Sequence, residues 1–90
     1  MAIKSEVGWT RKNEDGTKLE ISARRYGGEW LFFHQLKRHE DWEPITAPPL
    51  EDWLELLDAV RRLVVRRRYQ PADEDRLVRK IRERFPEATF

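Results

Sequence analysis

Residues 18–36 read KLEISARRYGGEWLFFHQL, and this stretch decides the fold of the chain. Its first half alternates apolar and polar side chains with a period of two, which is the pattern of a half-buried β-strand. Gly27-Gly28 follows, and glycine supplies the positive φ angles that a tight hairpin loop requires. A further strand begins at Glu29 and runs to about Leu36. The stretch therefore predicts a β-hairpin closed by two glycines.

The flanking segments extend this hairpin to a four-stranded antiparallel meander. Residues 7–12 alternate, and Asn13-Glu14-Asp15-Gly16-Thr17 has the Asx and glycine positions of a type I turn closed by a G1 bulge. After the third strand, residues 37–41 form a charged turn and residues 42–45 a short fourth strand. Because Pro44 has no N–H for a ladder, we expect this strand at an edge of the sheet.

Two helices follow Thr46-Ala47-Pro48-Pro49, the one clear break in the chain. The first is predicted from Pro49 to about Tyr69, amphipathic and packed on the sheet. Gln70-Pro71 ends it, and the second runs from about Ala72 to Phe85 with Asp73 as candidate N-cap. The apolar stripe of the first helix comprises Trp53, Leu57, Val60 and Val64, and its apolar flanks are Leu54, Leu56, Leu63 and Val65.

Length and composition predict one α+β domain over residues 1–90, with a strand half at about 6–46 and a helical half at about 49–86. Hydrophobic residues at 39% suffice for a core. The chain has no cysteine, which excludes disulfides, thiolate metal sites and a cysteine nucleophile. Its first residues lack the apolar run of a signal peptide, and no stretch approaches the length of a bilayer span, so we expect a cytoplasmic protein without a membrane partner.

The hairpins assign the side chains of the sheet to two faces. A slip of one residue in a turn would exchange the faces, so this assignment depends on the turn types. Leu31 and Phe33 fall on the face opposite the core, called the outer face below. Either the second helix covers them, or they form a stacking platform for bases in a basic field. The core face carries Val7, Trp9, Arg11, Leu19, Ile21, Ala23, Phe32, His34 and Leu36, and the outer face also carries Lys12, Lys18, Arg24 and Gln35.

No group of residues predicts catalysis. His34 falls on the core face, and the adjacent residues His39-Glu40-Asp41 diverge on a turn, so neither indicates a metal site. Gly27-Gly28 precedes a strand, whereas a phosphate-binding loop would precede a helix. We therefore expect no enzyme, no cofactor, no metal and no small-molecule substrate.

Charge is segregated along the chain despite a net charge of +1. Residues 51–60 contain four acidic and no basic side chains, and residues 61–70 contain five arginines and no acid. Acids at the start of a helix and bases at its end complement the helix dipole, which is one explanation. A polyanion-binding patch is the other.

The predicted order of four antiparallel strands and an amphipathic helix resembles the PUR repeat of purine-rich-element-binding proteins and the related single-stranded-DNA-binding transcriptional coactivators. The likeness lies in KLEISAR at 18–24 and GEWLFFHQ at 28–35, resumes at Trp53, Leu57 and Val60, and covers roughly residues 7–64. Members of these families bind single-stranded nucleic acid across the sheet and pair repeats or subunits through helices. The resemblance implies that Lys18, Arg24, Phe33 and Gln35 lie on a binding sheet; a second helix is not part of the usual pattern.

We therefore predict a small non-enzymatic module that binds single-stranded DNA or RNA through the basic and aromatic outer face. The alternative is a protein-interaction or dimerisation module with no nucleic-acid role. In a two-fold homodimer, a partner would bury the apolar flanks of the first helix. The predicted nucleic-acid contacts are Lys12, Lys18, Arg24, Phe33, Gln35, Lys37 and Arg38.

Overall fold

The structure, a computed structural model, describes residues 6–36 and 40–89. The chain divides into two compact units, one ending at Pro48 and the other beginning at Pro49, and each is described by itself. The boundary falls within the proline-containing break of the sequence. The α+β class, with a four-stranded antiparallel meander followed by two helices, is confirmed. The elements are β1 (Glu6–Lys12), β2 (Lys18–Tyr26), β3 (Glu29–Gln35), β4 (Glu43–Pro44), α1 (Leu50–Val65) and α2 (Pro71–Arg84).

The register of the sheet follows from its two tight turns. Ile21 is the Cα partner of Trp9 in β1 and of His34 in β3, and all three residues belong to the predicted core face. In the first turn, Gly16 has a φ of 86° and donates its N–H to the carbonyl of Asn13 at 2.9 Å. In the second, the glycines at 27 and 28 have φ values of 55° and 88°, which only a residue without Cβ adopts readily. The predicted face assignment is therefore confirmed for β1, β2 and β3, whereas Leu36, predicted on the core face, follows the end of β3 and is 44% exposed. The buried apolar side chains of this unit, Leu19, Ile21, Ala23 and Phe32, all belong to the predicted core face.

The fourth strand is shorter than predicted. Only Glu43 and Pro44 pair with β3, opposite His34 and Phe33, and β4 lies at the edge of the sheet as expected. Ile45 is outside the strand, although its N–H donates to the carbonyl of Phe32 at 2.8 Å. Because Phe32 and Ile45 are joined by this hydrogen bond, Pro44 lies at a non-hydrogen-bonded position, where its missing N–H points away from β3 and suits an edge strand.

The first helix ends four residues earlier than predicted, at Val65 rather than Tyr69. Arg67 has a φ of 62°, and its N–H donates to the carbonyl of Val64 at 2.9 Å. The N–H of Arg68 donates to the carbonyl of Leu63, also at 2.9 Å. This pair of hydrogen bonds is the Schellman motif, in which glycine usually occupies the left-handed position. With arginine there, the sequence contains no signal for the end of the helix.

Replacing Arg67 by glycine should raise the free energy of unfolding by about 1 kcal/mol, because a left-handed conformation strains a residue that carries Cβ. Arg66 is the matched control, since it lies beside Arg67 with an ordinary φ of −81°. Arg66→Gly should not raise the free energy of unfolding. Urea denaturation followed by circular dichroism measures both variants. Destabilisation by both glycines would contradict the expectation.

The second helix begins one residue earlier than predicted and has a different N-cap. Pro71 is its first residue and Gln70 its N-cap. Asp73, predicted as the cap, lies at the third helical position, where its Oδ2 accepts the N–H of Gln70 at 2.9 Å. That prediction was wrong because Pro71 suits the first position, where a missing N–H costs nothing.

No helix in the described ranges is both long and apolar enough to cross a bilayer.

The buried face of α1 is wider than the predicted stripe. Trp53, Leu57 and Val60 are buried as expected, but so is Leu56, with none of its surface exposed. Positions 53, 56, 57 and 60 follow the i, i+3, i+4, i+7 spacing of one helical face. The placement of Leu56 on an exposed flank was therefore wrong. Val65, from the same flanking group, is 82% exposed. Leu77 and Ile81 are the buried residues of α2.

Candidate nucleic-acid interface

The outer face of the sheet carries five of the seven residues predicted to contact nucleic acid. The remaining two, Lys37 and Arg38, lie outside the described residues. Alternation along the strands, together with the observed register, brings the five to one side of β1, β2 and β3. They are Lys12, Lys18, Arg24, Phe33 and Gln35.

Two lysines face each other at the first hairpin. Lys12 and Lys18 are Cα partners, and both are exposed. Asn13 donates its N–H to the carbonyl of Thr17 at 2.8 Å, so the next pair inward is of the non-hydrogen-bonded kind, whose side chains lie closer together. Within the described ranges neither lysine forms an ion pair. Like charges directly opposite each other destabilise a sheet, so this pair favours an anion between the ammonium groups.

Arg24 lies against two aromatic rings on the same face. Its Cζ is 4.6 Å from the ring centroid of Phe33 and 5.4 Å from that of Trp42. Both distances are within the range of cation–π attraction. The side chain of Arg24 is only 19% exposed, and Phe33 is half-buried. Arg24 thus covers part of the ring that the sequence presents as a stacking platform.

Glu6 compensates the charge of Arg24. Its Oε2 accepts the hydroxyl of Ser22 at 2.6 Å and the Nε–H of Arg24 at 3.0 Å. The hydrogen bond from Ser22, followed by the hydrogen bond and charge of Arg24, lowers the pKa of Glu6 below its usual 4.5, although partial burial opposes this. Glu6 therefore stays ionised near neutral pH, and the guanidinium of Arg24 is not a free cation.

Gln35 is not available for a ligand. It is on the outer side of β3, as predicted, but only 7% of its surface is exposed. Its Nε2 donates to the backbone carbonyl of Glu40. Gln35 therefore connects the end of β3 to the segment before β4, which leaves little of its side chain accessible. Leu31, by contrast, is 47% exposed.

Trp42 lies beside the predicted contact residues, although the sequence did not indicate it. Pro44 is the Cα partner of Phe33, so Trp42, two residues earlier, comes to the same side of the sheet. It borders a depression of about 490 Å³ on the outer face. The period-two rule could have placed it there, had the short β4 been extended backwards. The depression is lined by Glu6, Gly8, Trp9, Thr10, Glu20, Ile21, Ser22 and Trp42.

No metal centre is formed by the described residues, which contain no group of three histidine, aspartate or glutamate side chains able to hold an ion. His34 Nδ1 is buried and accepts or donates no hydrogen bond within those residues. It lies on the core face of β3, beside Ile21 of β2. Its Cα partner in β4 is Glu43.

The second basic surface is in the helical unit. Arg61 pairs with Glu74 at 3.1 Å and Arg62 with Asp58 at 3.4 Å. The three exposed arginines at 66–68, which follow α1, have no ion-pair partner among the described residues. The acids thus neutralise the helical part of the charge run, and the turn after it remains basic.

Comparisons with known proteins add no relative. No protein-family model, no curated protein and no solved structure matches the chain.

Proposed function

We propose that this protein is a non-enzymatic module that binds single-stranded nucleic acid through the outer face of its sheet. The observation that carries the proposal is the direct opposition of Lys12 and Lys18, both exposed and without acidic partners in the described ranges. A phosphate between them turns a repulsive pair into two charge-assisted hydrogen bonds. Because the pair lies at the hairpin end of β1 and β2, an extended backbone can reach it from solvent.

The aromatic part of the interface is Trp42 together with Arg24. Bases stack on aromatic rings and on guanidinium planes without regard to sequence. Phe33 supports this surface from below, since Arg24 lies over its ring at 4.6 Å. We therefore assign base stacking to Trp42 and Arg24, and to Phe33 the role of holding Arg24 in place.

Acidic side chains on the same face limit the electrostatic part of binding. Glu6 neutralises Arg24, and Glu20 lies between Lys18 and Ser22 along β2. Among the described residues of the predicted interface, Lys12 and Lys18 then remain as cations without an acidic partner. Each phosphate neutralised contributes about −0.7 to the slope of log affinity against log salt, so two contacts predict a slope near −1.4 for a single strand.

A labelled single-stranded oligonucleotide titrated at several salt concentrations tests this proposal. The unmodified protein should bind at low salt with the shallow slope just given, and the double variant Lys12→Gln, Lys18→Gln should lose most of the salt dependence. Arg79→Gln is the matched control, because Arg79 is exposed on α2 without an ion-pair partner among the described residues. Its binding should be unchanged.

Two other results would overturn the assignment. If the double variant Arg66→Gln, Arg68→Gln abolishes binding and the double lysine variant does not, the basic turn after α1 is the site. If no oligonucleotide binds even at low salt, the nucleic-acid proposal fails. The alternative of a protein-interaction module then stands, and the open edge of β1 is the observation in its favour.

A further inference from the structure

The first strand has an open edge. The sheet order β1-β2-β3-β4 gives β1 one neighbour, and its other side pairs with no strand in the described ranges. The seven residues of β1 alternate between exposed and half-buried side chains, with Glu6, Gly8, Thr10 and Lys12 exposed. A regular unpaired strand is a template for another chain, and proteins usually block it with a proline, a bulge, charged side chains or a very short strand. Among the described residues, β1 has no proline and no bulge and is seven residues long, and its charged side chains are Glu6, Arg11 and Lys12.

The turn after β1 determines which backbone groups point to the open edge. The hydrogen bond from Asn13 N–H to Thr17 makes that pair hydrogen-bonded, and antiparallel pairs alternate between hydrogen-bonded and non-hydrogen-bonded. The odd-numbered residues of β1 therefore turn their N–H and C=O groups towards β2. The even-numbered residues turn theirs outwards, and these are the residues with exposed side chains.

We infer that the open edge of β1 binds β1 of a second copy of this chain, antiparallel and about a two-fold axis at Trp9. In this register Glu6 lies opposite Lys12 of the second copy, and Gly8 lies opposite Thr10. All seven residues of the strand are paired, and each outward N–H and C=O of the even-numbered residues finds a partner. Antiparallel partners share a face, so the outer faces of the two sheets become continuous.

Charge complementarity selects this register. Glu6 and Lys12 lie at opposite ends of β1, so two-fold pairing brings opposite charges together twice. A shift by two residues in either direction leaves both charges opposite uncharged or unpaired positions. Lys12 also gains the acid that it lacks in one copy, where it faces Lys18. Opposite charges across a ladder stabilise it and like charges destabilise it. Glu6 of the second copy therefore stabilises the new ladder and offsets the repulsion between Lys12 and Lys18.

The depression on the outer face can accommodate the side chain of Lys12 from the second copy. Glu6 and Glu20 line it, and Glu20 forms no ion pair with any described residue. Gly8 contributes no side chain to its rim, so the stem of Lys12 from the second copy has room beside β1. The inference does not rest on the proposed nucleic-acid function, and Lys18 remains available to a phosphate in either state.

Sedimentation equilibrium over a concentration series, without nucleic acid, tests the inference. The mass should rise with concentration from 10.9 kDa towards twice that value. Thr10→Pro removes an N–H that points away from β2, so the variant should keep its circular dichroism spectrum and remain a monomer. A mass of 10.9 kDa at every concentration of the unmodified protein overturns the inference. So does a dimer that a folded Thr10→Pro variant leaves intact.

Charge variants provide a second test that does not depend on proline. Lys12→Glu and Glu6→Lys should each weaken self-association roughly tenfold or more, because both charge pairs of the dimer become repulsive. An equimolar mixture of the two variants should associate again, since every pair across the axis is then of opposite sign. Mixed chains that associate no better than either variant alone would refute the register. Oligonucleotide binding is measured separately on the monomeric Thr10→Pro variant, which retains Lys12 and Lys18. The proposed function can therefore fail or hold independently of self-association.

Discussion

Replacing Leu56 by alanine is expected to lower the free energy of unfolding by about 2–5 kcal/mol, because the substitution removes buried methyl groups and leaves a cavity. None of the surface of Leu56 is exposed, and it lies on the same helical face as Trp53, Leu57 and Val60. A chain of this size has a total stability of about 5–13 kcal/mol. The loss would thus be a large fraction of the whole.

The matched control is Val65→Ala in the same helix. Val65 is 82% exposed, so its truncation should change stability by less than about 0.5 kcal/mol. Urea denaturation by circular dichroism gives both values. Equal effects at the two positions would show that Leu56 is not a core residue. The same burial means that Leu56→Glu would unfold the helical unit, so it cannot serve to dissociate a dimer.

Replacing Arg24 by alanine should lower the free energy of unfolding by about 2 kcal/mol, a large effect for a charged residue on a sheet surface. The substitution removes cation–π contacts with Phe33 and Trp42, each worth about 0.5–1 kcal/mol, and a charged hydrogen bond to Glu6. Arg24→Lys retains the charge but not the planar contact with the rings. Its free energy of unfolding should therefore lie between those of the unmodified protein and Arg24→Ala.

Lys18→Ala is the control for Arg24, since both residues are cations of β2 on the outer face. Lys18 is exposed and opposite Lys12, so its removal should be neutral or slightly stabilising. Thermal and urea denaturation of the two variants measure the difference. If Lys18→Ala costs as much as Arg24→Ala, the packing of Arg24 on its rings contributes nothing to stability.

The sheet could be predicted from the sequence because its turns are local. Glycines at 16, 27 and 28 have the positive φ angles that their turns require, and these turns set the register of β1, β2 and β3. Once the register is known, the period of two assigns each side chain to a face. Lys12, Lys18, Arg24 and Phe33 were therefore placed correctly.

The ends of the helices were predicted less well. Arg67 takes a left-handed conformation that its residue type does not indicate, and Pro71 starts α2 where it was expected only to end α1. Both outcomes depend on hydrogen bonds of the surrounding turn. The N-cap of α2 is a further example, since aspartate is a preferred N-cap residue, whereas the structure has Gln70 at that position.

The sequence by itself determined the order of strands and helices, the register of the hairpins and the face on which each strand residue lies. Those features depend on turn chemistry and on periodicity, which act over a few neighbouring residues. Only the tertiary structure decided which outer-face residues are accessible. Glu6 neutralises Arg24 from 18 positions away, Trp42 contacts Arg24 from the segment before β4, and Gln35 is held by the carbonyl of Glu40. Such partners are chosen by distance in space, which no local pattern of residues encodes.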